Sequence, residues 1–228
     1  PYLSFLCINF DAPVVQEAAS WFLDAVFLNY NSSYLERMLE QMLDEGDSRE
    51  VTRFLRAVDV RIDGFRVERA PEWRGQRVFV RHKVRGKAYE LRLSEESAGT
   101  QKLMGLAAYL MTALERGGTV VVDELDAKLH PKLLRYVILL FKDPEVNKSG
   151  AQLIFSSQDV STMRNDVFRR DEIWFAARGE GEASQLWSLA DIHEANGNLV
   201  SKNAAFDKQY LSGRYGADPY LTRIEEWD

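Results

Sequence analysis

The sequence predicts an α/β fold with parallel core strands, a helical subdomain and a small antiparallel sheet. Three observations carry that expectation. Thr119-Val120-Val121-Val122 is a short run of β-branched residues without polar alternation, the pattern of a strand buried in a parallel sheet. Before it lies a helix-length stretch in which Leu103, Leu106, Ala107, Leu110 and Leu114 share one face, and after it comes a second apolar run, Gln152-Leu153-Ile154-Phe155. Residues 58–93 instead alternate apolar with charged side chains, as antiparallel strands with one solvated face do.

Taken in order, residues 1–10 read as a strand or an apolar connector. Asp11 and Pro13 suit a helix start, with Val15, Ala18, Phe22, Ala25 and Val26 recurring at helical spacing. A capping-box pattern, Ser33-Tyr34-Leu35-Glu36, opens a second helix whose stripe is Leu35, Met38, Leu39, Met42 and Leu43. That stripe is core or partner-helix packing. A third short helix is expected over 51–57, making 1–57 a helical subdomain. Strands are then expected around Val60–Asp63, Phe65–Glu68, Val78–Arg81 and Tyr89–Leu93, with Arg85-Gly86 as the turn between the last two. Residues 61–92 carry ten Arg or Lys against four Asp or Glu. The preferred reading is a solvated outer face whose cations protect edge strands from aggregation, and the alternative is a nucleic-acid backbone lying along the sheet. Gly86-Lys87 is not a phosphate loop, because Arg81 and Ala88 stand where that motif needs Gly and Ser or Thr.

Beyond 122, Pro131 suits the first position of a helix whose face is Leu134, Val137, Ile138 and Phe141. Residues 152–155 read as the next buried strand. Ile173–Ala176 and Ser184–Leu189 form an expected antiparallel pair across Gly179-Glu180-Gly181-Glu182, with Trp174 and Trp187 as core anchors. Residues 191–203 read as a loop.

The composition narrows the function classes. A chain of 228 residues that is 46% apolar and 28% charged can bury a sizeable core in one or two domains. Its net charge of −6 argues against nucleic-acid binding through an overall field. Cys7 is the single cysteine, which excludes an intrachain disulfide and a cysteine zinc site and suits a reducing compartment. No membrane span or signal peptide is visible, and the expected location is the cytoplasm. A first residue Pro1 in place of Met leads us to expect part of a larger protein.

The chemistry concentrates where the Val-rich strand ends. Ligands in open α/β sheets sit at the carboxyl ends of the strands, and here two acids follow at once. Asp123 could hold a Mg²⁺ ion through its water shell, and Glu124 could orient or deprotonate a water attacking a γ-phosphate. A core strand simply reaching solvent would leave the same pattern. Upstream, Ser97, Gly99 and Thr100 precede the long helix, where backbone N–H groups and two hydroxyls could form an anion site. The alternative is that Ser97 or Thr100 merely caps the helix.

The order of these pieces resembles the C-terminal lobe of ATP-binding-cassette-type ATPases, and more narrowly the AAA-type ATP-binding proteins of bacterial phage defence, relatives of the overcoming-lysogenization-defect nucleases and the structural-maintenance-of-chromosomes ATPases. The matching residues are Glu96, Ser97, Gly99 and Thr100 of the signature, Leu129-His130-Pro131 after the Walker B strand, and Gly213, Arg214, Tyr215, Gly216, Ala217 and Pro219 of the ending. The resemblance implies an ABC/RecA-like P-loop NTPase lobe over 58–221, followed by a tail over 222–228. It implies ATP and Mg²⁺ as cofactors, a second ATPase protomer, an effector such as a nuclease, and a defence role; DNA or RNA is a further possible partner, and no membrane is involved. Asp123 would take the metal, Glu124 the water, and Ser97, Gly99 and Thr100 the nucleotide of the facing subunit. Ala127 and His130 would face that subunit. Gln158 stands where relatives place a switch histidine, and it can donate a hydrogen bond to phosphate but cannot become cationic. No Walker A loop occurs in these residues, so the isolated chain is expected not to hydrolyse ATP.

Overall fold

A computed structural model describes residues 13–28, 48–58, 62–69, 76–178, 183–194 and 196–217. The chain is α/β, and it divides into two compact units, residues 1–158 and 159–228. The expectations for 1–10, Asp11, the capping box at 33–36 with its stripe, Val60-Arg61, the connection at 179–182, Pro219 and the tail fall outside the described residues.

The first unit holds α1 (Pro13–Asp24), β1 (Val26–Leu28), α2 (Ser48–Ala57), β2 (Gly64–Arg69), β3 (Gln76–Val84), β4 (Lys87–Arg92), α3 (Ala98–Arg116), β5 (Thr119–Val122), α4 (Pro131–Lys142) and β6 (Gln152–Phe155). Its main sheet has the order β1-β5-β6, all parallel, with Val26, Phe27 and Leu28 opposite Val120, Val121 and Val122. Here the sequence reading needs correction. Ala25 and Val26 do not continue the first helix; three consecutive bulky apolar residues instead form a strand against the Val-rich β5. Two positions of agreement with a helical period were too few to outweigh a sheet partner 94 positions away in the register Val26↔Val120. Phe22, expected on a core face, is 53% exposed.

Helix α3 packs on β5 and α2, and α4 packs on β6. The expected face of α3 is the observed one, for Leu103, Leu106, Ala107, Leu110 and Leu114 are all buried. Each such leucine contributes about 2 kcal/mol of transfer free energy. Leu28, Val120 and Val122 are buried as well, whereas Phe27 and Ile154, which flank Val121 in one row, are 55% and 49% exposed. The sheet is therefore covered on one face among the described residues. Strand β6 is consequently not the buried strand its composition suggested, with Gln152 and Ile154 exposed and Leu153 and Phe155 half-buried.

The second sheet, β2-β3-β4, is antiparallel. Arg85 and Gly86 make its tight turn with φ of 50° and 82°, the left-handed pair a two-residue hairpin requires. Val78 and Val80 are buried on one face, and Arg66, Phe79 and Arg92 lie in register on the other.

The second unit holds β7 (Trp174–Arg178), β8 (Ser184–Ser188) and α5 (Phe206–Leu211) around Ile173, Phe175, Leu189, Val200, Phe206 and Tyr215. The strand period turns Phe175 inward, where its ring stacks 5.8 Å from that of Tyr210. Its neighbour Trp174 therefore faces out, 58% exposed, and is not the core anchor it was expected to be. Trp187 does pack on this core and donates from Nε1 to the Tyr215 carbonyl at 3.2 Å. The described residues of 191–203 are largely irregular, with a bridge between His193 and Leu199.

Candidate functional site

The site grows from the joined ends of β5 and β6. Asp123 N still donates to Leu28 O at 2.9 Å, so this residue leaves the sheet only with its side chain. At Glu124 the backbone turns sharply, with φ of 51°. That conformation costs a non-glycine residue about 1–2 kcal/mol, and surrounding bonds must hold it. Ser156, just past β6, supplies them. Its N donates to Val122 O at 3.1 Å and its carbonyl accepts from Leu125 N at 3.0 Å. Its hydroxyl donates to Asp123 Oδ1 at 2.5 Å and accepts from Glu124 N at 2.8 Å. Leu125 is fully buried below, while Asp123 and Glu124 are both exposed. The two carboxylates are thus presented to solvent by a fixed backbone.

Residues 124–129 continue as a compact turn. Ala127 N donates to Glu124 O at 3.1 Å, Leu129 N to Asp126 O at 2.9 Å, and Lys128 has φ of 62°. Asp126 Oδ1 accepts from Gln158 N at 3.3 Å, which places Gln158, itself exposed, beside this turn. Lys102 reaches in from α3, its Nζ donating to Glu124 O at 2.6 Å and Ala127 O at 2.9 Å. It is only 5% exposed, and burial pulls its pKa down to about 8 against the partial support of Asp126 and Glu124. Between pH 8 and 10.5 the unfolded chain therefore holds a proton that the folded chain sheds, so stability rises with pH through that window. The gain is on the order of 3 kcal/mol at full amplitude. Urea midpoints of the wild type, compared with those of Lys102→Met across this window, should show a slope that the variant lacks.

The serine–glycine corner meets the same turn. Ser97 caps α3, its Oγ accepting from Thr100 N at 3.1 Å and lying 2.8 Å from Thr100 Oγ1. The capping alternative thus describes the geometry of Ser97, and the residue remains exposed. A Cβ added at Gly99 would lie 2.7 Å from the backbone oxygen of Lys128, so only glycine lets the two segments touch. Glu96 is paired with His82 of β3, with Oε1 and Nε2 2.6 Å apart. His130 caps α4, its Nδ1 accepting from Lys132 N at 3.1 Å, and the neutral ring accordingly carries its proton on Nε2.

The structure thus gathers Ser97, Gly99, Thr100, Asp123, Glu124, Ala127 and Gln158 around one turn of one unit, with His130 just beyond it. Among the described residues no three acids, histidines or cysteines cluster to make a protein-only metal cage. Asp123 and the Ser156 hydroxyl are hard oxygen donors open to solvent, a set that fits Mg²⁺, which keeps most of its waters and takes phosphate oxygens. Two of the residues that build the site, Ser156 and Lys102, had no role in the sequence reading. Lys102 was detectable as a cation four residues before Leu106 on the apolar face of α3. Ser156 left no signal beyond ending a strand.

Residues 6–164 match the family described as "AAA domain, putative AbiEii toxin, Type IV TA system". The chain belongs to this family of AAA domains. The matched span contains both the serine–glycine corner and the acidic turn, so the strand-end carboxylates lie in a domain of nucleotide-binding ATPase type. Among solved structures, one similar chain is described under "Structural biochemistry of ATP-driven dimerization and DNA stimulated activation of SMC ATPases", with 16% identity, a TM-score of 0.39, and coverage of 60% of this AAA protein and 88% of that chain. No curated protein matches. No helix among the described residues is long and apolar enough to cross a membrane.

Proposed function

We propose that this AAA domain is one lobe of an ABC-type ATPase in which ATP joins two protomers, and that nucleotide state sets conformational state in anti-phage defence. The observation that carries the reading is the exposed Asp123–Glu124 pair, held by Ser156, beside a serine–glycine corner at which Ser97 is exposed and Gly99 half-buried. In each shared pocket Asp123 would hold Mg²⁺, which supplies charge neutralisation of the phosphates. Glu124 orients the attacking water and accepts its proton. Ser97, Gly99 and Thr100 of the other protomer approach the γ-phosphate, and Ala127 and His130 line the seam. Gln158 donates one hydrogen bond to a phosphate oxygen and carries no charge, which slows release of the closed state. Residues 58–221, with β1 added to their sheet through β5, would be the ATPase lobe, the helices of 1–57 its helical subdomain and 222–228 the tail, with the Walker A loop supplied from outside these residues. An effector such as a nuclease would read the closed dimer; the family description, a toxin of a toxin–antitoxin system, supports an effect on the cell itself.

Sedimentation of the complete protein tests this. Its mass should double with ATP and Mg²⁺ and fall back with ADP, and an unchanged mass under both contradicts the proposal.

A second reading, a chromosome-maintenance or DNA-repair ATPase, draws on the outer face of β2-β3-β4. Arg77, Arg81 and Lys83 alternate along β3 beside Arg66 and Arg92, and the Arg66 guanidinium lies 4.1 Å over the Phe79 ring. Glu90 partly neutralises this face, pairing with Arg66 at 2.9 Å and Arg81 at 3.5 Å. The reading expects turnover stimulated by duplex DNA, with log affinity falling about 0.9 per log salt for each phosphate contacted. Binding insensitive to salt, or none, removes it.

A further inference from the structure

We propose that Lys102 is a positioning residue that locks the start of α3 to residues 124–128, so that the serine–glycine corner and the acidic turn of one protomer move as a single body. The proposal deepens the ATPase reading and rests on it for its functional consequence, though not for its geometry.

The lock has two contacts on successive positions of one helix face. Gly99 lies directly under the Lys128 carbonyl, where no side chain fits. Three residues on, the buried Lys102 ammonium binds two carbonyls at once, those of Glu124 and Ala127, which lie 22 and 25 residues further along the chain. The turn is thus gripped at 124, 127 and 128. It needs that grip, because Glu124 and Lys128 both hold left-handed backbone conformations that a free loop of non-glycine residues would abandon. Glu124 is the residue whose side chain handles water in the proposed reaction, and it is tied through its own carbonyl to the helix that begins at the corner facing the other protomer. A shift of that corner is transmitted to the Glu124 backbone through one side chain, without passing through the sheet. Methionine at 102 would fill the space of the lysine stem and remove both hydrogen bonds, whereas arginine keeps donors at its end.

The test is amide hydrogen exchange on the complete protein, paired with kinetics. In Lys102→Met, the amides of Leu125, Ala127 and Leu129 should exchange at least tenfold faster while those in the middle of α3 stay protected, and Lys102→Arg should restore most of the loss. For ATP turnover, kcat should fall at least tenfold in the methionine variant with KM within about twofold of wild type, a split that general destabilisation does not produce. Wild-type exchange in a folded Lys102→Met protein overturns the lock. Faster exchange with wild-type kcat overturns its role in turnover. If the wild type itself neither hydrolyses ATP nor dimerises with it, the ATPase reading fails, while the exchange result still decides the lock. Should Lys102→Met not fold, Gly99→Ala presses on the same turn at its other contact: faster exchange at 125–129 supports the lock, and unchanged exchange overturns it.

Discussion

Glu124→Gln in the complete protein should lower ATP turnover at least a hundredfold and leave an ATP-bound dimer that no longer comes apart. The amide has nearly the shape of the carboxylate, and the contacts that hold this position, Glu124 N to the Ser156 hydroxyl and Glu124 O to Lys102, are made by the backbone. What the substitution removes is a proton acceptor. Loss of a general base costs about 10²–10⁴ in rate. Binding should survive, since the residue does not touch phosphate in the proposed pocket. Phosphate release and sedimentation on the same preparation measure both halves of the expectation. Wild-type turnover in the variant removes Glu124 from the mechanism, and intact biological activity without turnover would favour a non-catalytic partner-binding module.

Gly117→Ala should destabilise the first unit by about 2–5 kcal/mol, a large part of the stability of an ordinary domain. Two costs combine at this one position. Gly117 ends α3 with φ of 77°, a left-handed conformation worth about 1–2 kcal/mol against any residue with a Cβ. The added methyl would also sit 2.3 Å from the Ser149 carbonyl oxygen, which is backbone and cannot rotate away. Moving it adds about 1–3 kcal/mol. Ser149 is not free to yield, because its hydroxyl donates to Glu115 O at 2.8 Å. The effect should spread to the site, for β5 begins two residues later and Asp123 directly follows its last residue, Val122. A urea midpoint scarcely changed from wild type would show that the backbone at 149 adapts cheaply.

How much of this was legible in the sequence depended on how local the cause was. The α3 face, the Arg85-Gly86 turn, the capping of α3 at Ser97 and the Val-rich β5 follow from spacing and residue type within a few positions. The β1 strand does not, because Val26-Phe27-Leu28 becomes a strand only through its pairing with Val120–Val122. Trp174 and Trp187 read alike as sequence, yet one faces solvent because Phe175 takes the inward position of β7, against Tyr210 of α5. In the site, Asp123 and Glu124 were visible as paired acids at a strand end. The residues that hold them were less so: Ser156 acts from 32 and 33 residues away, and Lys102 from 22. The resemblance gives Gly99 to the nucleotide of the facing subunit, and the structure supplies a reason for glycine there that spacing could not show, the Lys128 carbonyl of the same chain.

That last contact sharpens the central question, whether the corner and the acids serve one pocket within a protomer or two pockets shared between protomers. Mixing two inactive variants of the complete protein, Glu124→Gln and Ser97→Arg, answers it. If each pocket takes Glu124 from one protomer and Ser97 from the other, the mixed dimer keeps one intact pocket, and equal mixing should restore roughly a quarter of wild-type turnover. A mixture as dead as its parents, together with activity in dimers of the wild type and the double variant, would place both elements in the same protomer's pocket and contradict the account.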